Sequence, residues 1–148
     1  MVNAGSPAAA PERFGQDKMA RILLAEDDDD MRRFLVKALE RAGYDVSDFD
    51  NGASAYERLR EEPFSLLLTD IVMPGADGIE VARIAAQRQP GVRIMFITGF
   101  AAVALSAAQA APEAKVLSKP VHLKDIVAEV DRMVGVTGIE PVTPTMST

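Results

Sequence analysis

Apolar residues gather along the chain in short runs that predict buried β-strands. Residues 21–25, 65–69 and 92–98 read RILLA, SLLLT and VRIMFIT, which are nearly continuous apolar segments. Such runs are typical of parallel strands that are covered on both faces of a sheet. Residues 45–49, DVSDF, alternate between apolar and polar as an edge strand does, and residues 114–118, AKVLS, predict a short fifth strand.

Helical stripes with i, i+3, i+4, i+7 spacing separate these strands. The predicted helices run from about residue 31 to Gly43, from Asn51-Gly52 to before Pro63, and over residues 78–89, 100–111 and 123–134. Five alternating βα units with short connections predict an α/β fold with a doubly wound parallel sheet. Because ligands bind beyond the carboxyl ends of the strands in such sheets, the residues at those ends are the candidates for chemistry.

Composition and charge exclude some classes of function. The chain has 148 residues, 48% of them hydrophobic, which is enough for one domain with a core. Residues 19–134 are expected to form that domain, between a disordered N-terminal tail, residues 1–18, and a flexible C-terminal tail, residues 135–148. The net charge of −6 argues against a nucleic-acid partner. No run is long and apolar enough for a membrane span and no leader sequence is evident, so the expected location is the cytoplasm.

Acidic residues lie where two of the predicted strands end. Glu26 and Asp27 follow the first strand, and Asp70 follows the third. Thr98 ends the fourth strand, and Lys119 follows the fifth. Three carboxylates at one sheet edge repel each other unless a cation lies among them. An all-oxygen cluster with few protein ligands suits Mg²⁺, and the absence of cysteine excludes a thiolate site, so the sequence predicts a magnesium site here.

Simpler interpretations compete with this one. Asp29 and Asp30 are expected only to add favourable charge and caps at the N-terminus of the first helix. An EF-hand loop would need glycine at its sixth position, where this chain has Arg32. Taken alone, Lys119 would be a solvated lysine and Thr98 a strand-end threonine. Their placement at the ends of strands of one sheet favours a common site.

The motifs LLAEDD, LLLTDIVMPGADG, FITG and VLSKP occur in this order between residues 20 and 134. With them the chain resembles the receiver domain of bacterial response regulators. The resemblance implies a flavodoxin-like (βα)5 fold with a five-stranded parallel sheet in the order 2-1-3-4-5. It also implies that Asp70 is a nucleophile that accepts a phosphoryl group from a histidine kinase or a histidine phosphotransfer protein.

The same resemblance assigns roles to the residues around this aspartate. Mg²⁺ would be held by Glu26, Asp27, Asp70 and the backbone carbonyl of Val72, with Asp27 as the favoured direct ligand. Thr98 and Lys119 would each contact a phosphoryl oxygen. The bond between Lys119 and Pro120 looks like the cis bond typical of receivers. Gly75 and Gly78 suit the turn after the phosphorylated residue and the start of the next helix.

Two features depart from the usual receiver pattern. Receivers often carry Tyr or Phe three residues before the lysine, where this chain has Val116, so no aromatic ring can switch rotamer there. Phe100 is the nearest aromatic that could take a related part; the alternative is that it packs against the fourth helix. That helix, residues 100–111, has no charged residue. Its exposed alanines are either harmless or part of a partner-binding or dimer face with the fifth strand and fifth helix.

The segments MARILLAEDDDDMRRFLVKALE and ITGFAAVAL resemble the CpdR-type subgroup of stand-alone receivers. Residues 135–148 are too few for an output module, so the protein is expected to act through protein contacts. For this subgroup the resemblance implies control of regulated proteolysis by ClpXP, with the unphosphorylated form promoting substrate delivery. One alternative is a phosphorelay shuttle that passes its phosphoryl group to a histidine phosphotransfer protein.

An enzymatic role has less support. An aspartyl-phosphate phosphatase of the haloacid dehalogenase type needs an aspartate two residues after the nucleophile, where this chain has Val72. No P-loop motif is present, so nucleotide hydrolysis has no support either. The sequence therefore favours a signalling protein over an enzyme.

Overall fold

The computed structural model describes residues 20–135, in which five strands and five helices alternate. The strands are β1 (Arg21–Ala25), β2 (Asp45–Phe49), β3 (Leu66–Asp70), β4 (Arg93–Thr98) and β5 (Lys115–Ser118). The helices are α1 (Asp29–Arg41), α2 (Gly52–Glu61), α3 (Gly78–Arg88), α4 (Ala101–Ala110) and α5 (Leu123–Val134). No helix in this part of the chain is long and apolar enough to span a bilayer. The predicted tail 1–18, and all but the first residue of the predicted tail 135–148, lie outside the described residues.

The strands form one parallel sheet in the order β2-β1-β3-β4-β5, which confirms the predicted doubly wound fold. Most residues of β1, β3 and β4 are buried, as their continuous apolar runs require. The alternating strand β2 lies at one edge, as predicted, and β5 lies at the other. Because all strands run in the same direction, the loops that follow Ala25, Asp70, Thr98 and Ser118 meet along one side of the sheet.

Helices cover both faces of the sheet. On one face α1 and α5 bury a cluster with the strands that includes Leu35, Leu39, Ile126 and Val130. On the other face α2, α3 and α4 bury a second cluster that includes Ala55, Leu59, Val81, Ala85 and Ala107. Each large apolar side chain buried in this way stabilises the fold by about 1.5–3 kcal/mol. The two layers together hold the sheet, and with it the position of every strand end.

Side-chain caps determine where three of the helices begin. Asp28, Asn51 and Asp77 each accept a hydrogen bond from the backbone N–H three residues later, at 2.8 to 2.9 Å. The cap of α1 is therefore Asp28. The prediction for Asp29 and Asp30 was right about their charge, since both lie in the first turn of α1, but wrong about the cap.

Two glycines allow the loop after β3 to return closely to the sheet. Gly75 has a φ of +91°, a left-handed conformation that side chains rarely adopt. Gly78 donates its N–H to the carbonyl of Ile71 at 2.8 Å. A Cβ atom at position 78 would lie 2.2 Å from the carbonyl oxygen of Asp70. The start of α3 therefore packs directly against the backbone of Asp70.

Candidate functional site

The loop between β1 and α1 brings two carboxylates to the carboxyl edge of the sheet. Glu26 is 1% exposed and donates its backbone N–H to the carbonyl of Phe49, on β2, at 3.0 Å. Its side-chain Oε2 accepts a hydrogen bond from the N–H of Asp28 at 3.1 Å. Asp27, which lies between Glu26 and Asp28 in the sequence, is exposed to solvent. The loop thus buries one carboxylate and presents the next one to solvent.

Asp70 is the last residue of β3, in the middle of the sheet. It pairs with Ile97 of the neighbouring strand β4 and is 7% exposed. Carboxylate oxygens of Glu26, Asp27 and Asp70 lie within 4.8 Å of one another. The structure therefore brings together the three side chains that the sequence proposed for a metal site.

Lys119 joins two of these carboxylates. Its ammonium Nζ lies 3.1 Å from Asp70 Oδ2 and 3.3 Å from Glu26 Oε1. The peptide bond between Lys119 and Pro120 is cis, as predicted, and the backbone N–H of Lys119 donates to the carbonyl of Thr98 at 2.7 Å. Lys119 lies at the sheet edge where a contact with a phosphoryl oxygen was predicted, and its bridge between the two acids was not predicted from the sequence.

Burial and charge shift two protonation equilibria at the site. Burial raises the pKa of Glu26 to about 7, and the charge of Asp70 adds to this, while the N–H of Asp28 and Lys119 act against it. Burial alone would lower the pKa of Lys119, but the charges and hydrogen bonds of Glu26 and Asp70 outweigh it, so the pKa is raised. Lys119 is therefore a permanent cation at neutral pH, whereas Glu26 titrates near neutrality.

The donor set fits a small divalent cation. In an octahedral Mg²⁺ site with bonds of about 2.1 Å, oxygens on opposite sides lie about 4.2 Å apart. The three carboxylates are within 4.8 Å of each other, so small side-chain movements bring them to that spacing. All three offer oxygen, the ligand that Mg²⁺ prefers, and the exposed Asp27 leaves room for water ligands. Val72, whose backbone carbonyl was predicted as a further ligand, lies two residues after Asp70 with a 48% exposed side chain.

Thr98 lies at the end of β4 and is fully buried. Its hydroxyl Oγ1 accepts a hydrogen bond from the N–H of Phe100 at 3.2 Å, at the residue that precedes α4. Phe100 is 59% exposed, so it does not pack into the core. Val116, at the position where receivers often have an aromatic residue, is half-buried against the core cluster beneath α2, α3 and α4.

Arg32, which the sequence analysis used only to exclude an EF-hand, also contacts the acidic loop. Its guanidinium Nη1 donates to the backbone carbonyl of Glu26 at 2.8 Å. The available signal was a basic residue in the turn of α1 that follows the acidic run. That signal does not say whether the side chain points to solvent or back to the loop.

The parallel sheet and its acidic edge define a class of protein, and comparison with known proteins agrees. The family model of the response regulator receiver domain matches residues 22–131. The chain therefore belongs to the response regulator receiver family. It is 72% identical, over 116 residues, to the response regulator receiver protein CpdR of Brucella abortus (strain 2308), and this match covers 78% of the chain and 97% of that protein. Other curated relatives are longer; the chain spans 12% of the sensor kinase CckA and 38% of the regulator TctD.

Solved structures show the same fold. A response regulator receiver protein from Sinorhizobium medicae WSM419 is 30% identical, with a TM-score of 0.73 over 79% of this chain and 95% of that one. A response regulator protein from Burkholderia pseudomallei, solved with a phosphorylated aspartic acid, a calcium ion and citrate, is 25% identical. Its TM-score is 0.66, over 82% of this chain and 70% of that one. The chain thus shares its fold with a protein whose structure contains a phosphorylated aspartate and a divalent cation.

Proposed function

We propose that this protein is a CpdR-like response regulator that accepts a phosphoryl group on Asp70 in a Mg²⁺-dependent reaction. One observation carries this proposal: at the carboxyl edge of the sheet, the side chains of Glu26, Asp27 and Lys119 all lie close to Asp70. The phosphorylated aspartate and calcium ion in the related Burkholderia structure support it. The similarity to CpdR covers nearly all of that protein rather than one domain of a larger one.

The reaction follows from the placement of Asp70. A carboxylate oxygen of Asp70 attacks the phosphorus of a phosphohistidine on a histidine kinase or phosphotransfer protein, and a P–O bond forms as the P–N bond breaks. The electron pair of the broken bond stays on the imidazole nitrogen, which leaves. Because Asp70 is only 7% exposed, the donor must approach along the sheet edge. Glu26, Asp27, Asp70 and the carbonyl of Val72 would hold Mg²⁺, which would offset negative charge on the transferring oxygens.

Lys119 and Thr98 would then respond to the new group. Lys119 already lies 3.1 Å from Asp70 Oδ2, so a small movement brings its ammonium to a phosphoryl oxygen. Thr98 can donate its hydroxyl proton to another phosphoryl oxygen, and we propose that its side chain turns towards that oxygen and away from the N–H of Phe100. That turn removes the hydrogen bond between the end of β4 and the start of α4. With Val116 in place of an aromatic residue, the start of α4 is the element through which phosphorylation is read out.

The proposed output is control of ClpXP-mediated proteolysis through protein contacts. The 72% identity to CpdR supports this, together with the surface of α4. No residue of this helix is charged, and Leu105 is 62% exposed. An apolar side chain so exposed on an uncharged helix suits a contact with another protein. We assign the partner-binding face to α4 with the neighbouring β5 and α5.

Reconstituted degradation tests this output. ClpXP is incubated with ATP and a substrate whose degradation requires CpdR, with and without this protein and a small phosphodonor. We expect the unphosphorylated protein to accelerate degradation and the phosphodonor with Mg²⁺ to reduce that effect. Asp70→Ala should accelerate degradation whether or not the donor is present. A wild-type protein that leaves the degradation rate unchanged in both states would contradict the proposed output.

A further inference from the structure

Arg32 links the acidic loop, α1 and β2 through one guanidinium group. Its Nη1 donates to the backbone carbonyl of Glu26 at 2.8 Å, and its Nη2 lies 2.7 Å from Asp29 Oδ1. Its Nε lies 3.3 Å from Asp48 Oδ2 on the edge strand β2. The side chain is 18% exposed. Three contacts in three directions hold a planar guanidinium in one orientation, which a lysine ammonium cannot reproduce.

The residue that depends on this arrangement is Asp27. Within residues 20–135, no protein group donates a hydrogen bond to the Asp27 carboxylate, so its position follows from its backbone. The peptide unit between Glu26 and Asp27 is planar, so the carbonyl oxygen of Glu26 and the nitrogen of Asp27 move together. A contact that fixes the carbonyl oxygen of Glu26 therefore also fixes where the Asp27 side chain begins.

The other groups of Glu26 have separate anchors. Its N–H bonds to Phe49, and its carboxylate contacts the N–H of Asp28 and the ammonium of Lys119. None of these contacts involves the carbonyl oxygen of Glu26, which belongs to the peptide unit that follows the residue. Arg32 supplies the contact to that peptide unit.

We propose that Arg32 is a positioning residue for the metal site: it holds the Glu26 carbonyl so that Asp27 projects towards Asp70 and Glu26. The inference rests on the proposed function in taking the bound cation to be Mg²⁺. Arg32 acts through the loop and contacts neither the metal nor the phosphoryl group. Residues that orient metal ligands typically change metal affinity by about 10- to 100-fold when they are replaced.

The positive charge of Arg32 and its proposed positioning role predict opposite effects on Mg²⁺ affinity when the residue is replaced. If Arg32 acted only as a nearby positive charge, its removal would tighten the binding of a cation. If it positions the loop, its removal weakens binding, because Asp27 must be ordered when the metal binds. Arg33 is the matched control. It is the next residue of the same helix and lies 3.3 Å from the exposed carboxylate of Asp30.

The experiment is calorimetric titration of Mg²⁺ into the full chain without a phosphodonor. We expect Arg32→Met to raise the Kd for Mg²⁺ about tenfold. Arg32→Lys, which keeps the charge, should raise it several-fold, and Arg33→Met should leave it within about twofold. Asp27→Ala serves as the reference for a lost ligand. Hydrogen exchange of the metal-free protein should be faster at the amide of Asp28, which donates to Glu26 Oε2, in Arg32→Met, with the sheet unchanged.

Several outcomes would overturn the inference. They are an unchanged or lower Kd for Arg32→Met, and an equal change for Arg33→Met. If Arg32→Met does not fold, Asp48→Ala removes one anchor of the guanidinium, and a Kd that it leaves unchanged has the same meaning. A wild-type protein that binds Mg²⁺ but takes no phosphoryl group overturns the proposed function alone. A wild-type protein that binds no Mg²⁺ overturns both.

Discussion

Lys119 Nζ lies 3.1 Å from Asp70 Oδ2, so a side chain of the loop after β5 contacts the last residue of the central strand β3. The same ammonium reaches Glu26 at the end of β1. This explains how several acids can share one edge of the metal-free sheet, since a cation of the chain lies between two of them. A divalent cation and a phosphoryl group would both alter these contacts. The lysine therefore connects the acidic site directly to the β5–α5 loop.

Replacement of Lys119 by methionine should destabilise the metal-free protein by about 1–2 kcal/mol at pH 7.5, because Glu26 and Asp70 lose the ammonium that contacts both of them and Glu26 must take up a proton to relieve their repulsion. Mg²⁺ should restore much of this loss and should bind more tightly than to the wild type. Urea unfolding with and without Mg²⁺ measures both effects. Lys115→Met is the control, since Lys115 is an exposed lysine 3.5 Å from Glu129 and should change stability by less than about 0.5 kcal/mol. Equal stability of Lys119→Met and wild type would contradict the account.

The stability of the metal-free protein should fall as the pH rises through neutrality. The pKa of Glu26 is about 7 in the folded state and near its ordinary value of 4.5 when unfolded, so the folded state binds this proton more tightly. Its contribution is complete below pH 4.5 and is lost as the pH rises through about 7. At 1.4 kcal/mol per pKa unit, the loss is at most about 3.5 kcal/mol.

Chemical denaturation between pH 4.5 and 8 measures this profile. In Glu26→Gln, which cannot ionise at this position, the fall should be much smaller. Saturating Mg²⁺ should also reduce the fall, because the metal binds the ionised carboxylates. A wild-type profile that rises over this range would show that Glu26 is charged in the folded protein well below neutrality.

Gly78→Ala should destabilise the protein by about 2–4 kcal/mol, because the new methyl group would lie 2.2 Å from the carbonyl oxygen of Asp70 and the backbone must move. Gly99→Ala is the matched control beside the same site, where the nearest atoms to a new Cβ belong to Lys119 at 3.9 Å. It should cost less than about 1 kcal/mol. Thermal unfolding of the two variants compares them, and equal midpoints would contradict the close packing of α3 against β3.

Leu105→Asp should leave stability within about 0.5 kcal/mol of the wild type, because the side chain is already 62% exposed. It should weaken the effect of the protein on ClpXP about tenfold if α4 is the partner-binding face. Phe34→Asp on α1, at a side chain 52% exposed, is a control on a different helix. Degradation rates measured over a range of protein concentrations give both values. An unchanged effect for Leu105→Asp, or an equal loss for Phe34→Asp, would remove the assignment of this face.

Much of the fold could be predicted because its apolar runs are long and its breakers are clear. The run at 21–25 matches β1, and the predicted helix 100–111 exceeds α4 by one residue at each end. The run at 65–69 is displaced by one residue from β3, which extends to Asp70. A pattern based on polarity ends the predicted strand at its last apolar residue, but Asp70 still pairs with Ile97 of β4. The predicted strand therefore stops one residue too early, at the residue proposed to accept the phosphoryl group.

The sequence predicts only those parts of the site whose positions follow from where the strands end. Glu26, Asp27 and Asp70 converge because parallel strands deliver their carboxyl ends to one edge. The bridge formed by Lys119 depends on the path of the β5–α5 loop, which sequence spacing does not describe. The guanidinium of Arg32 contacts both the carbonyl of Glu26 and the carboxylate of Asp48 on β2, which is sixteen positions away in the sequence and meets it only in the folded protein.

Intact-mass analysis shows whether Asp70 is a Mg²⁺-dependent phosphoryl acceptor. The wild type and Asp70→Ala are each incubated with a small phosphodonor and Mg²⁺, and their masses are compared. We expect one phosphate adduct on the wild type, none on the variant, and none on the wild type when Mg²⁺ is chelated. An adduct of the same yield on Asp70→Ala, or no adduct on the wild type, would show that Asp70 is not the acceptor.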